Sequence, residues 1–171
     1  MEGFLNPNEI LRNIELREDM VAADFGCGSG GWVIPLAKRL EDGRVLAVDI
    51  LDKPLAALKI KAQLANVSNI QTILADVEKT TEIVEESCDL VLMSNLFFQA
   101  EKKKDILIEG KRVLKKGGRI LVVDWKKNAS LGPKEGKVSP EELKELALDL
   151  NLRIEKEFEA SPYHYAIILV K

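Results

Sequence analysis

The chain has little of what staples or tethers a protein. Its 171 residues include two cysteines and one histidine, and neither sign of charge dominates: 25 lysines and arginines face 28 aspartates and glutamates. Cys27 and Cys88 sit in apolar runs or beside glycines. Neither has a partner at metal-ligand spacing, so no metal site is expected. Two isolated thiols suit a reducing cytoplasm, the expected location. No stretch approaches the roughly 18 continuous apolar residues of a membrane span. The opening Met1-Glu2-Gly3-Phe4 lacks the basic-then-apolar order of a signal peptide. A net charge of −3 offers no broad basic face to displace counterions, so nucleic acid is not an expected partner.

What is present belongs to an ordinary globular domain. The apolar fraction is 46% and the charged fraction 31%. The length suits one domain, residues 1–171, with a core that needs no disulfide or metal. Strand-length apolar runs alternate with helical periodicity. The runs predict strands at Val21–Phe25, Arg44–Asp49, Ile70–Leu74, Asp89–Met93, Arg119–Trp125, Leu152–Glu159 and His164–Val170. Helices are expected at Pro7–Asn13, Gly31–Leu40, Lys53–Asn66, Glu101–Leu114 and Pro140–Leu150, with a short helical turn at Thr80–Glu85. Asn6 before Pro7 and Ser139 before Pro140 read as N-caps. Gly117-Gly118 reads as the stop after the fourth main helix. Such alternation predicts a parallel sheet with right-handed crossovers. Only Ala160–Tyr163 separates the last two strands, so they must form an antiparallel hairpin.

The strongest local signal is Asp24-Phe25-Gly26-Cys27-Gly28-Ser29-Gly30-Gly31, where an apolar strand runs into glycines and then a helix. Two readings compete. Gly26, Gly28 and Gly31 satisfy the G-x-G-x-x-G pattern that holds the pyrophosphate of a dinucleotide. Gly26, Gly28 and Gly30, preceded by Asp24, satisfy D-x-G-x-G-x-G, which resembles motif I of the class I S-adenosylmethionine-dependent methyltransferases. Asp24 favours the second reading, because a carboxylate at the strand end repels a pyrophosphate but suits the ammonium of a methionine moiety. The resemblance implies a Rossmann-like, doubly wound α/β fold. Its seven-stranded, mostly parallel sheet has the order 3-2-1-4-5-7-6, the last strand antiparallel and helices on both faces. It also implies S-adenosyl-L-methionine as cofactor, held by Asp24, Gly26, Cys27, Gly28 and Gly30.

Further candidates fall at the ends of later strands. Asp49 ends the second strand about 20 residues beyond the loop, the offset at which an acidic side chain accepts from ribose hydroxyls; alone it would be a helix cap. Ile50 beyond it offers an apolar surface to adenine. The resemblance implies that Asp76 accepts the adenine exocyclic amine and that the backbone N–H of Val77 reaches a ring nitrogen; a helix cap is the plain alternative. It also places the Asn95 carbonyl near the methionine ammonium and the Asn95 side chain near the transfer site. The chain reads Asn-Leu-Phe-Phe there and lacks the N-P-P-aromatic motif of many amino-methyltransferases. Lys115–Gly118, Asp124-Trp125 and Pro162–Tyr165 look like the ubiquinone/menaquinone-type branch, although Phe98 stands where relatives often have histidine.

Candidate catalytic groups are His164, Asp124 and Asn95. His164 is expected near the rim of the active edge, where imidazole suits proton removal, or else as a plain surface residue. Asp124 could face substrate, with Trp125 more naturally a packing residue. Lysines 102–104, 126, 127, 134 and 137 read as a solvated face or an attractor for an anionic substrate. The segment Phe4–Pro7 is a candidate lid over the cofactor. With no sizeable insertion, the expectation is methyl transfer to a small-molecule acceptor by a monomer or homodimer. The alternatives are a protein or RNA methyltransferase and a non-catalytic cofactor-binding module.

Overall fold

A computed structural model describes residues 4–171. Seven strands form one sheet: β1 (Val21–Phe25), β2 (Arg44–Asp49), β3 (Ile70–Leu74), β4 (Cys88–Ser94), β5 (Leu114–Trp125), β6 (Arg153–Ser161) and β7 (His164–Val170), ordered β3-β2-β1-β4-β5-β7-β6. β1 pairs in parallel with both β2 and β4, and its end Phe25 lies level with Val48 and Met93. β7 runs antiparallel between β5 and β6, with His164 opposite Trp125. This is a doubly wound class I methyltransferase topology, and the polarity reversal falls where the short hairpin linker requires it.

The core has two layers because successive side chains of a buried strand point to opposite faces. Ala23, Phe25, Val91 and Met93 pack on one face with Ile106, Leu107 and Val113 of α4 (Lys103–Val113) and Leu143 and Ala147 of α5 (Pro140–Asp149). Ala22, Leu90 and Leu92 pack on the other with Val33 and Leu36 of α2 (Val33–Ala37) and Leu55 and Leu58 of α3 (Asp52–Leu64). Ile10, the last residue of α1 (Pro7–Ile10), joins the second layer. Among the described residues no helix is long and apolar enough to cross a membrane.

Both predicted caps form. The Asn6 side chain accepts from the Asn8 N–H, and Ser139 and Glu142 make a reciprocal capping box. Three departures from the sequence expectation go beyond a shift of an element's ends by a few residues. The helix after the glycine loop shrinks to Val33–Ala37, since Pro35 has no N–H for the ladder and the flanking residues stay in turns. Residues 80–85 form bends and a turn, not a helical turn. Gly117-Gly118 does not stop α4: the chain leaves Val113 straight into β5 at Leu114, and the two glycines lie inside the strand. Lys171 holds them there, through Gly117 N–H to its carbonyl at 3.1 Å and its own N–H to Gly118 O at 3.0 Å.

Candidate active site

The carboxyl ends of β1, β2 and β4 converge on a cleft of about 370 Å³ lined by residues that include Gly26, Gly28, Asp49, Ile50, Asp76, Val77, Leu96 and Gln99. Ligands of open α/β sheets bind at this edge. The loop after β1 turns with Gly26, Gly28 and Gly30 at φ of 71°, 52° and 86°, a left-handed run that other residues rarely adopt. Gly30 also lets the loop approach α3, because a Cβ there would fall 2.3 Å from Leu58 Cδ1. Cys27 is buried in this loop, and burial together with Asp24 and Asp49 pushes its thiol up, away from nucleophilic use.

Asp49 joins the loop to the β2 end. One carboxylate oxygen accepts from Gly28 N–H at 2.9 Å, and the other from Leu51 N–H at 3.0 Å. Each oxygen keeps acceptor capacity, which suits a pair of ribose hydroxyls. Ile50 beside it is 62% exposed, an open apolar surface at the cleft wall. Asp76 precedes the turn at residues 77–78, and no helix follows directly for it to cap. It lines the cleft, yet its carboxylate also accepts from Glu78 N–H at 3.0 Å and pairs with Lys79 at 3.0 Å. Those partners hold its pKa below the usual carboxylate value.

Two atoms fit a cationic ligand. Asp24 Oδ2, at the end of β1, and Asn95 Oδ1, just past the end of the adjacent β4, are buried acceptors with no donor among the described residues. Burial, reinforced by the nearby Asp49, raises the Asp24 pKa well above 3.8. Unpartnered buried acceptors are rare and mark places where a donor is supplied from outside. The ammonium of an amino-acid moiety is such a donor, so the residues fit S-adenosylmethionine. The Asn95 carbonyl already accepts from the Gln99 side chain at 3.3 Å.

The other catalytic candidates lie apart from the cleft. Asp124 is fully buried, and its carboxylate accepts from the backbone N–H groups of Leu96 (3.2 Å), Phe97 (2.9 Å) and Trp125 (2.7 Å). It therefore anchors the turn after Asn95 and does not face substrate, a correction to the sequence expectation. His164 is 0% exposed instead of standing open at the rim. Its Nδ1 meets Ser161 Oγ at 2.9 Å, and burial with nearby Lys126 lowers its pKa to about 4, which disfavours a general base near neutrality. Phe4 does not cover the glycine loop; it packs on Trp125, Tyr163 and His164. Three of the seven lysines at this edge are ion-paired: Lys104 with Asp149, Lys126 with Glu159 and Lys127 with Glu142.

Sequence reasoning missed the clamp that holds the cleft wall. Glu78 accepts from Glu101 and Lys102 N–H at 3.1 and 2.6 Å, just before α4. Farther along that helix, Glu109 is buried at 4% exposure and accepts from the Thr81 N–H and hydroxyl, and Arg112 donates to Ile83 O at 2.8 Å. A glutamate on the apolar face of α4, beside Ile106, Gly110 and Val113, was the available signal.

Residues 23–122 match the methyltransferase domain family, and the chain belongs to it. A curated relative from Methanocaldococcus jannaschii, named as a probable cobalt-precorrin-6B C(15)-methyltransferase (decarboxylating), is 35% identical over 75 residues. That match covers 44% of this chain and 40% of the relative, so the chain spans about two fifths of the relative's length. A SAM-dependent methyltransferase from Aquifex aeolicus superposes with a TM-score of 0.90 at 24% identity, over 97% of this chain and 89% of that one. The [4+2]-cyclase SpnF superposes at 0.86 with 13% identity, over 96% and 80% of the two chains. At such identities the likeness shows the fold alone. The cyclase is a reminder that function has to be argued from the site.

Proposed function

We propose that the chain is an S-adenosylmethionine-dependent methyltransferase acting on a small-molecule acceptor. One observation carries the reading: two buried, unpartnered acceptors, Asp24 Oδ2 and Asn95 Oδ1, stand at neighbouring strand ends beside a left-handed glycine loop braced by Asp49. Asp24 and Asn95 would take the ammonium, and Asp49 the ribose hydroxyls. Asp76, the Val77 N–H and Ile50 would hold the adenine. The bound cofactor supplies a sulfonium methyl that passes to a nucleophile in an in-line displacement. The chain's own task is then to hold acceptor and donor in line, an effect that can be worth about 7–11 kcal/mol. Asn95, at the end of β4, is the side chain best placed to touch the reacting groups. No step requires His164 or Asp124 to move a proton.

The net charge of −3, with three of the seven edge lysines ion-paired, supports a small acceptor over a nucleic acid. The cobalt-precorrin-6B in the relative's name points the same way. Binding calorimetry with S-adenosylhomocysteine and NAD tests the cofactor, and preference for NAD would sink the reading. Labelled-methyl transfer into fractionated cell extract should put counts in the small-molecule fraction; counts in protein or RNA would contradict the acceptor class.

A further inference from the structure

Beyond the cofactor cleft, the sheet edge carries an arrangement of rings that the reading above leaves unused. Trp125 ends β5 and His164 opens β7 directly opposite it, their rings tilted with centroids 4.1 Å apart. Tyr163 stands in the two-residue turn before His164, and its carbonyl accepts from Lys126 N–H at 2.9 Å, which ties the turn to β5. Into this three-ring cradle the N-terminal segment inserts a fourth ring. Phe4 lies 5.2 Å from Trp125, 5.9 Å from Tyr163 and 5.3 Å from His164, centroid to centroid, edge-on to the first and third. These separations are those of favourable aromatic pairs. The loop after β5 closes over the indole, since a Cβ on Gly132 would fall 2.4 Å from Trp125 Cε3.

The cradle also holds a polar atom with nothing to bind. His164 is 0% exposed, and its Nε2 has no partner among the described residues. Ser161 Oγ accepts from Tyr163 N–H at 3.2 Å and meets His164 Nδ1 at 2.9 Å. The tautomer that satisfies all three atoms has the hydroxyl donating to Nδ1, which leaves Nε2–H as an unused buried donor. The imidazole is neutral, because burial lowers its pKa to about 4. Two ammonium groups lie nearby: Lys137, 5.9 Å from the indole centroid, is engaged by the carbonyls of Ala129 and Leu131, and Lys126 by the Glu159 carboxylate and the Pro162 carbonyl. The cradle adjoins the transfer position: Asn95 N–H donates to Val123 O at 2.9 Å, and Asp124 pins Leu96 and Phe97 to the β5 end.

Resting on the methyltransferase reading, we propose that the Trp125, Tyr163 and His164 cradle is the acceptor subsite. It takes the flat, uncharged ring of an aromatic or conjugated acceptor whose oxygen pairs with His164 Nε2, and Phe4 is a built-in competitor for that place. Phe4 occupies the cradle as a ligand ring would, without supplying the missing hydrogen-bond partner.

The test is calorimetry with 2-naphthol, naphthalene and naphthalene-2-sulfonate, with and without saturating S-adenosylhomocysteine. A plug in place nine-tenths of the time weakens apparent affinity about tenfold, so Phe4→Ala should bind 2-naphthol about tenfold more tightly than wild type. Phe4→Leu, which keeps apolar bulk without the ring, should fall between them and replaces Phe4→Ala if that variant does not fold. Adding His164→Phe should cut the preference for 2-naphthol over naphthalene by about 3–10-fold, the size of one hydrogen bond. The sulfonate should bind worst. Equal 2-naphthol affinity with and without the Phe4 ring, an unchanged preference after His164→Phe, or tight sulfonate binding would each overturn the proposal. Absence of S-adenosylhomocysteine binding would instead remove the methyltransferase reading, while the naphthol titrations alone would still report on the cradle.

Discussion

Two aspartates end neighbouring parts of one sheet edge and meet opposite fates. Asp124 at the end of β5 is buried among three backbone N–H groups that use its carboxylate. Asp24, the penultimate residue of β1, is as deeply buried, and its Oδ2 has no donor among the described residues. In sequence the two look alike: an apolar strand, then an acid, then an aromatic. Hydrogen-bond accounting separates them, because a buried acceptor that the protein satisfies is architecture, whereas one left open is a place for a ligand. The same contrast divides the edge. The β1–β4 half is polar, glycine-lined and open, while the β5–β7 half is aromatic and closed.

The comparison breaks most sharply at Asp49, which serves both loop and ligand. Asp49→Ala should weaken S-adenosylhomocysteine binding about 100-fold, near 2.7 kcal/mol, the size of one or two hydrogen bonds to a charged group. A change below threefold in calorimetry would show that Asp49 only braces Gly28. Next comes the clamp on the cleft wall. Glu109→Leu strips Thr81 and Arg112 of their shared partner and should cost about 2–3 kcal/mol in chemical denaturation. Unaltered stability would mean that the loop of residues 76–83 is held by packing alone.

The smallest effect is also the most diagnostic. The raised pKa of Asp24 means that the folded, empty protein binds a proton more tightly than the unfolded chain. Its contribution is therefore favourable below the ordinary value of 3.8 and is lost as pH rises through the raised folded value. Asp24→Asn should flatten that part of the stability-pH curve. Binding a ligand ammonium reverses the bias, so wild-type affinity for S-adenosylhomocysteine should climb across the same window. A pH-independent affinity in wild type would place the ammonium elsewhere.

Much of the fold was legible because strand-length apolar runs advertise themselves. β1, β2, β3 and β7 fall at their predicted bounds, each a compact run rich in apolar residues. The start of β5 was not legible: Lys115-Lys116-Gly117-Gly118 reads as a turn, and only pairing with Lys171, 53 or more residues away in sequence, makes it strand. The glycines and acids that line the cleft stood out in sequence because each follows a strand-length apolar run. Burial of His164 and Asp124 was not, since depth below a sheet edge depends on which loop closes over it. Phe4 against His164 is a contact between remote segments, and Gly132 against Trp125 depends on how the loop after β5 folds back.

The central claim is that Asp24 holds the amino-acid end and Asp49 the ribose of a single ligand. Calorimetry of wild type, Asp24→Asn and Asp49→Ala with S-adenosylhomocysteine and with 5′-methylthioadenosine, which lacks the amino acid, tests it directly. The account predicts that Asp24→Asn weakens S-adenosylhomocysteine about tenfold, near 1.4 kcal/mol, and leaves methylthioadenosine unchanged, while Asp49→Ala weakens both. Equal effects of Asp24→Asn on the two ligands, or none on either, would contradict it.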